Sequence, residues 1–307
     1  MNRRAFIASG GAAILGPMLF DSAKSYADAG ALSARETAGG PLITPNAKFF
    51  LYSEKRYPEK GPSAIDIDGL VATPARYSVD DLANVPSAKR LLTFQCYANT
   101  AGGPLIFTAP FEGAPLSTLF DKAGVKPEAK AARIEVIDGH APYLLPLTEL
   151  QRPQAMLVGR WGSEAVTHEH GGRYTRLFIP GAGGNHQPKW ISRITLVDGA
   201  APEHPAPPMA GFLSPAPPET VGSMAGVTLT GYAFCGPEPV GKVELSTDDG
   251  RTYQSMPLPA QPDPRVWITW DVTFRPPERG FYVLRVKATS AGGRKQDFPG
   301  VIAVDVR

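Results

Sequence analysis

Apolar and polar positions separate first at the N-terminus. Asn2-Arg3-Arg4-Ala5-Phe6-Ile7 sets a twin-arginine pair before an apolar pair, and Ala8 to Phe20 follows as an apolar run rich in Gly and Ala. Ser25-Tyr26-Ala27 then offers small residues at the −3 and −1 positions of a cleavage site. Charged head, apolar middle and small-residue end make an export signal over residues 1–27, with the arginine pair pointing to the twin-arginine route. The run falls short of the roughly 20 residues that span a bilayer, so no membrane span is expected. A small, polar lead over residues 31–40 precedes the folded part.

Beyond it the pattern changes period. Ala64 to Leu70 alternates like a strand ending in a turn, and Leu91 to Cys96 is a short apolar run of the buried-strand kind. Leu116 to Ala123 has helical spacing, with Pro115 at its start and Gly124 as its stop. Arg133 to Ile137 and Leu177 to Ile179 read as further strands. Seven prolines crowd residues 201–218, enough to predict an extended interdomain linker. After it, Gly226 to Phe234, Lys242 to Ser246, Val266 to Phe274 and Tyr282 to Thr289 alternate apolar and polar residues. Asp248-Asp249-Gly250 is a hairpin signal. The expected fold class is α+β over 41–200, then a linker, then an immunoglobulin-like β-sandwich over 219–307.

Composition and charge remove several functions. The chain of 307 residues has a formal net charge of +2. The signal segment holds Arg3, Arg4 and Lys24 against Asp21, so the remainder is near neutral and lacks the basic stripe that nucleic acid requires. The two cysteines, Cys96 and Cys235, form no CxxC or CxxCH motif, which excludes covalently attached haem and a four-cysteine metal site. The five histidines show no H-x-x-x-H spacing for zinc or copper.

Two segments carry candidate chemistry. Cys96-Tyr97-Ala98-Asn99 leaves a strand and enters Thr100-Ala101-Gly102-Gly103, a backbone-permissive turn that lets a ligand approach closely. Cys96 reads either as a buried inert thiol or as a soft ligand to a metal that another chelator already holds. Gly181-Ala182-Gly183-Gly184-Asn185-His186-Gln187-Pro188-Lys189-Trp190 offers loop amides, a cation and a flat apolar ring with one donor. It also reads as a tight turn followed by a surface lysine and a packing tryptophan. Cys235, after a strand of the second domain, is expected to be structural.

Together these motifs resemble the sulfite oxidase family of molybdopterin enzymes over residues 41–307. Ile43 to Phe50 resembles the family's opening motif. Phe94 to Asn99 resembles the segment whose cysteine ligates molybdenum. His170, Arg176 and Pro180-Gly181 resemble the stretch that contacts the pterin phosphate. Gly184 through Lys189-Trp190 matches the glycine loop, and Gly231-Tyr232-Ala233 with Val243 to Gly250 resembles the C-terminal immunoglobulin-like domain. The resemblance implies a molybdenum–molybdopterin cofactor with Cys96 as metal ligand. It implies a cofactor grip from Tyr52, Asn99, His170, Arg176, Gly183, Gly184, His186, Gln187, Lys189 and Trp190. It further implies oxygen-atom transfer on a small oxyanion or S-oxide, a homodimer through the C-terminal domain, and a periplasmic protein. With no haem on the chain, electrons leave to an external acceptor such as a c-type cytochrome.

The departures fall on the substrate side. Tyr52 and Glu54 stand where the family has Arg and His, and Thr100 and Ala101 where arginine commonly follows the cysteine. Ala141 occupies the place of an active-site tyrosine before Leu145-Pro146-Leu147, with His140 beside it, and His186 replaces an arginine. His140 and His186 are therefore the expected catalytic companions of Cys96, titrating near the substrate, with Tyr52 and Arg173 as lesser candidates at the mouth. Each histidine reads equally as a solvated loop residue. Sulfite dehydrogenation is the leading expectation. An S-oxide reductase of the same fold and a non-catalytic periplasmic binding protein are the alternatives.

Overall fold

The computed structural model describes residues 31–34, 42–51, 57–215 and 219–307, with backbone alone at 31–34 and 219–221. The export signal, Tyr52, Glu54, Pro217 and Pro218 lie outside the described residues.

Among the described residues, three short α-helices and many strands make the fold mostly sheet. The α+β expectation holds only in that coarse sense. In the first half, the mixed sheet β3-β2-β11-β6-β7 is built from β2 (Ala64–Gly69), β3 (Ala75–Ser78), β6 (Ala131–Val136), β7 (Tyr143–Pro146) and β11 (Ile191–Val197). Strand β2 follows its alternation. Ile65 and Ile67 are buried, while Asp66 and Asp68 point outward to ion pairs with Arg76 and Arg193. Helices α1 (Val79–Ala83), α2 (Leu116–Ala123) and α3 (Leu147–Leu150) cover this sheet's apolar face. Helix α2 starts at Pro115 and stops at Gly124, whose left-handed φ of +63° spares it the steric cost a side chain would bring.

The second sheet runs β10-β8-β5-β4, from β4 (Ala88–Gln95), β5 (Ile106–Pro115), β8 (Met156–Trp161) and β10 (Leu177–Phe178), with β9 (Glu164–Ala165) on β8. An aromatic core lies against it. Phe49 of the opening motif stacks on Phe107 at 4.1 Å, and Phe50 meets Phe94 at 5.3 Å. Leu92, Phe94 and Phe107 are buried in that core.

The second half is a two-sheet sandwich. One sheet is β1 (Ala31–Ala34), β17 (Ile268–Arg275), β14 (Val227–Phe234) and β12 (Met209–Ser214). The other is β13 (Glu219–Gly222), β19 (Gly300–Val306), β18 (Gly280–Ser290), β15 (Val240–Ser246) and β16 (Gln254–Ser255). Alternation is regular here: Ile268, Trp270, Val272 and Phe274 of β17 face Leu284, Val286, Ile302 and Val304 across the core. The Asp248-Asp249-Gly250 turn joins β15 to β16, with φ of +60° at Asp249 and +87° at Gly250.

The stretch 201–218 differs from the expected linker. Strand β12 occupies its proline-free gap and pairs with β14, burying Met209 to Phe212. Proline lacks the N–H a ladder needs, so Pro202, Pro205, Pro207 and Pro208 stay before the strand and Pro215 after it. The two halves share a buried cluster of Ile106, Ala206, Met209, Tyr232, Phe234, Val266 and Trp267. The second half also hydrogen-bonds strand β4. Thr93 N–H donates to Arg265 O at 2.9 Å, Trp267 N–H donates to Thr93 Oγ1 at 2.8 Å, and Gln95 Nε2 donates to Pro207 O at 3.2 Å. That contact reaches directly to the residue before Cys96.

Candidate active site

Cys96 sits just past the end of β4, 4% exposed and outside any disulfide. Its N–H donates to Leu105 O at 2.9 Å and its C=O accepts from Asn99 N–H at 3.1 Å. Asn99 closes the turn by accepting Leu105 N–H on Oδ1 at 2.9 Å, and Gly103 N–H donates to Thr100 O at 2.8 Å. Asn99 is therefore a brace for the thiol's turn, with Nδ2 buried and closing no well-aligned hydrogen bond among the described residues. Gly102, at φ +76°, takes the left-handed bend.

Two cations converge electrostatically on this thiol. Arg176 is 6% exposed, its guanidinium carbon 5.0 Å from the ring centres of both Phe94 and Trp161. Its Nη1 donates to His170 O at 2.5 Å, while its Nε is buried without a partner among the described residues. Burial pulls the Arg176 guanidinium down to about 10, against the opposing influence of Cys96 and Tyr143. Lys189 Nζ lies 4.7 Å over the Trp190 ring and 5.9 Å over Tyr57. Burial first, and Arg176 second, lower the Lys189 ammonium to about 8, while Asp138 and Cys96 favour its charge. Gly171 makes room for it: at φ +112°, a Cβ there would stand 2.8 Å from Lys189 Cβ and Cγ.

His170 completes the group. Its Nδ1 meets Thr167 Oγ1 at 2.9 Å, its ring meets Trp161 edge-on at 4.9 Å, and its Nε2 is buried without a partner among the described residues. Burial, then Arg176 and Lys189, press it down to about 4, so it is neutral at pH 7. A guanidinium kept out of water with an unpartnered N–H costs free energy unless an anion meets it, and the half-buried Lys189 adds its charge at the same place. A soft thiol beside them supplies the other half of a donor set. The residues present fit a phosphate-bearing cofactor that carries a thiophilic metal.

The glycine loop packs against the backbone of Gln95 and Cys96. A Cβ on Gly184 would stand 3.0 Å from Cys96 Cα and 3.1 Å from Gln95 O. Gly184→Ala is expected to displace Cys96 and to cut cofactor occupancy by about tenfold or more, because backbone atoms cannot yield as a flexible side chain can. Metal analysis of the purified variant checks this, and wild-type occupancy would refute it. Several loop amides are already spent: Gly183 N–H on His204 O, His186 N–H on Gly183 O, and Gln187 N–H on Gly184 O. The backbone grip expected over Gly183 to His186 is therefore narrower than the whole loop.

The remaining candidates fall in other surroundings. His186 stacks on His204 with ring centres 3.4 Å apart, and burial, aided by His204, lowers it to about 4. It is uncharged at neutral pH and cannot replace an arginine as an anion-holding cation. His140 lies half-buried on Tyr143 at 4.6 Å, its Nδ1 2.7 Å from Ala141 O. Gln187 is buried and donates Nε2 to Ala182 O at 2.9 Å. Trp190 is wholly buried and its indole N–H donates to His168 O at 2.9 Å, so it supports Lys189 through its ring and has no donor left for a ligand. Arg173 lies over the Tyr174 ring.

Sequence reading missed Phe94 and Trp161 as the walls of the Arg176 slot, Tyr57 as a support for Lys189, and Tyr143. Tyr143 stands three residues before Pro146, not five, and acts electrostatically on Arg176. As the one tyrosine between Asp138 and Leu147 it carried a signal, but one that spacing alone misplaced. Tyr57, Pro58, Glu59, Ile137, Asp138 and Gly139 line an open cleft of about 560 Å³. Ile137 N–H donates to Trp190 O at 3.2 Å, which ties the cleft to the cation site.

The family model for an oxidoreductase molybdopterin binding domain matches residues 58–205. Among solved structures, the chain resembles the sulfane dehydrogenase SoxCD from Paracoccus pantotrophus at 21% identity and a TM-score of 0.70, covering 90% of this chain and 80% of that one. At that identity the likeness establishes the fold. An engineered protein 23% identical, covering 34% of this chain and 21% of its own, has a TM-score of 0.24 and carries no argument.

Proposed function

From the premise that this chain belongs, through residues 58–205, to the molybdopterin-binding oxidoreductases of the sulfite oxidase family, we propose that it is an exported oxygen-atom-transfer enzyme of the sulfite dehydrogenase kind that passes electrons to an external acceptor. The observation that carries the reading is the buried Arg176 guanidinium and the half-buried Lys189 ammonium, both within electrostatic reach of the Cys96 thiol. When bound, molybdenum–molybdopterin supplies two-electron oxygen-atom transfer to or from a substrate.

The chain's own residues bind and orient. Cys96 provides the single protein thiolate to the metal. Arg176, fixed between Phe94 and Trp161, presents its unpartnered Nε–H to the cofactor phosphate. Lys189 adds a second charge, and His170, neutral, offers Nε2 as a hydrogen-bonding group without adding to the repulsion between the cations. Because these groups are fixed before the ligand arrives, little ordering remains to be done on binding.

Lys189 makes the grip pH-dependent. Its ammonium is charged below about 8 in the cofactor-free chain, and an anion at the site raises that value. Binding above pH 8 then takes up a proton, so cofactor affinity falls by up to about tenfold per pH unit as pH rises. Lys189→Arg, which stays charged, is expected to flatten this slope in reconstitution of cofactor-free protein; an equal slope in both proteins would sink the assignment.

The mouth favours a second reading of the substrate. Thr100 and Ala101 bring no cation, and Tyr97, next to Cys96, and Ile137, in the cleft, stand 43% and 42% exposed. An apolar surface beside the site suits a neutral organic S-oxide better than a bare oxyanion. The test is metal analysis of periplasmic protein, then sulfite oxidation with an external acceptor set beside dye-driven S-oxide reduction. Sulfite turnover supports the first reading, S-oxide turnover the second, and protein exported without molybdenum under replete conditions refutes both. The export signal, a c-type cytochrome acceptor and a homodimer through the C-terminal sandwich belong to the same proposal.

A further inference from the structure

The turn that presents Cys96 is held from the other half of the molecule. Gly211 of β12 approaches Gly102 so closely that a Cβ on it would stand 2.5 Å from Gly102 Cα, 2.7 Å from Gly102 N and 3.0 Å from Tyr232 Cε1. Tyr232 of β14 is 1% exposed. Burial pushes its phenol up to about 12, while the Asn99 side chain and the Gly102 backbone, both facing the hydroxyl, act the other way. Yet neither Tyr232 Oη nor Asn99 Nδ2 closes a well-aligned hydrogen bond within the described residues. A buried, imperfectly paired hydroxyl costs stability, whereas phenylalanine would fill the same apolar cluster at no such cost. Asn99, for its part, holds Leu105 N–H and so the pairing of Leu105 with Cys96. The hydroxyl thus stands where it can act on the turn, at a place where packing alone gives no reason for it.

We propose that Tyr232 is a positioning residue for Cys96, fixing the Asn99–Gly102 turn and thereby making the C-terminal sandwich part of the metal-binding apparatus. The inference rests on the reading of Cys96 as the ligand only for its functional consequence. The geometric claim concerns the thiol itself and is tested without cofactor.

The experiment uses the full chain, cofactor-free, and follows alkylation of Cys96 by iodoacetamide at fixed pH, located by peptide mass spectrometry so that Cys235 is scored separately. Tyr232→Phe is expected to speed Cys96 alkylation about threefold to tenfold, as a loosened turn exposes the thiol more often, with thermal stability unchanged or raised. Tyr282→Phe serves as control: it removes another hydroxyl of the same sandwich, which donates to Glu278 O at 2.8 Å, and should leave the Cys96 rate unchanged. In an Asn99→Ala background, Tyr232→Phe should add no further rate, because its effect passes through Asn99. Gly211→Ala, pressing on Gly102 directly, should alter the Cys96 rate even if the phenol variant folds poorly. In loaded enzyme Tyr232→Phe should lower kcat with little change in KM. An unchanged Cys96 rate in a folded Tyr232→Phe variant would overturn the proposal, as would a rate rise that merely tracks lost stability; where that variant fails to fold, an unchanged rate in Gly211→Ala overturns it. Altered thiol reactivity in the variants, beside a wild-type chain that never takes up molybdenum, would uphold the positioning and refute the proposed function.

Discussion

Cys96→Ser should yield a folded protein with activity reduced by about three orders of magnitude or more, equivalent to about 4 kcal/mol or more of transition-state stabilisation. A hydroxyl is a harder and far less acidic donor than a thiol, so it neither ionises at neutral pH nor suits a thiophilic metal. The change in volume is small and the side chain lies within reach of the Arg176 and Lys189 charges, so the cost to stability should stay within about 1–2 kcal/mol. The measurement is turnover with each substrate class, set beside thermal unfolding and metal content. Near-normal turnover in the serine variant would remove Cys96 from the site altogether.

Arg176→Met should separate cofactor binding from folding. In the cofactor-free chain Arg176 is a buried cation whose Nε is unpartnered, compensated by the Nη1 bond to His170 O and by its ring contacts with Phe94 and Trp161. Methionine fills much of the slot, keeps favourable contact with the rings and removes the charge burial. Stability of the cofactor-free protein should therefore hold or rise. Cofactor affinity should fall by about 10- to 100-fold, the worth of one charge-assisted hydrogen bond to a phosphate. Lysine at this position should not rescue it, because a point charge on a flexible stem loses the planar fit between the two rings. Metal analysis together with unfolding of loaded and cofactor-free protein reads both effects. Full metal loading in the methionine variant would show that the phosphate is held elsewhere.

The sequence by itself determined what local chemistry dictates. Alternation placed β2 and β17, because a two-residue period allows only one face to be buried. Pro115 and Gly124 bounded α2, because each restricts or permits one region of backbone space whatever surrounds it. Cys96 and Lys189 were legible from their residue types beside glycine-rich turns, and His170 and Arg176 through the family resemblance of the stretch that holds them.

Tertiary structure decided everything that depends on partners distant in sequence. Strand β12 hid within a proline-rich stretch, since its partner β14 and the buried cluster joining the two halves supply the reason for it to be a strand. The Arg176 slot needs Phe94 from β4 and Trp161 from β8, two rings separated by more than sixty residues and brought together by the pairing of both strands with β5. His186 was read as a titrating cation from its place in the glycine loop, but the stacked His204 and the loss of water around it keep it neutral. Charge state follows solvation and neighbours, and neither is written in the order of residues. The brace on Cys96 is of the same kind: Asn99 sits three residues away, while the Tyr232 hydroxyl and the Gly211 contact arrive from a sandwich more than a hundred residues along the chain.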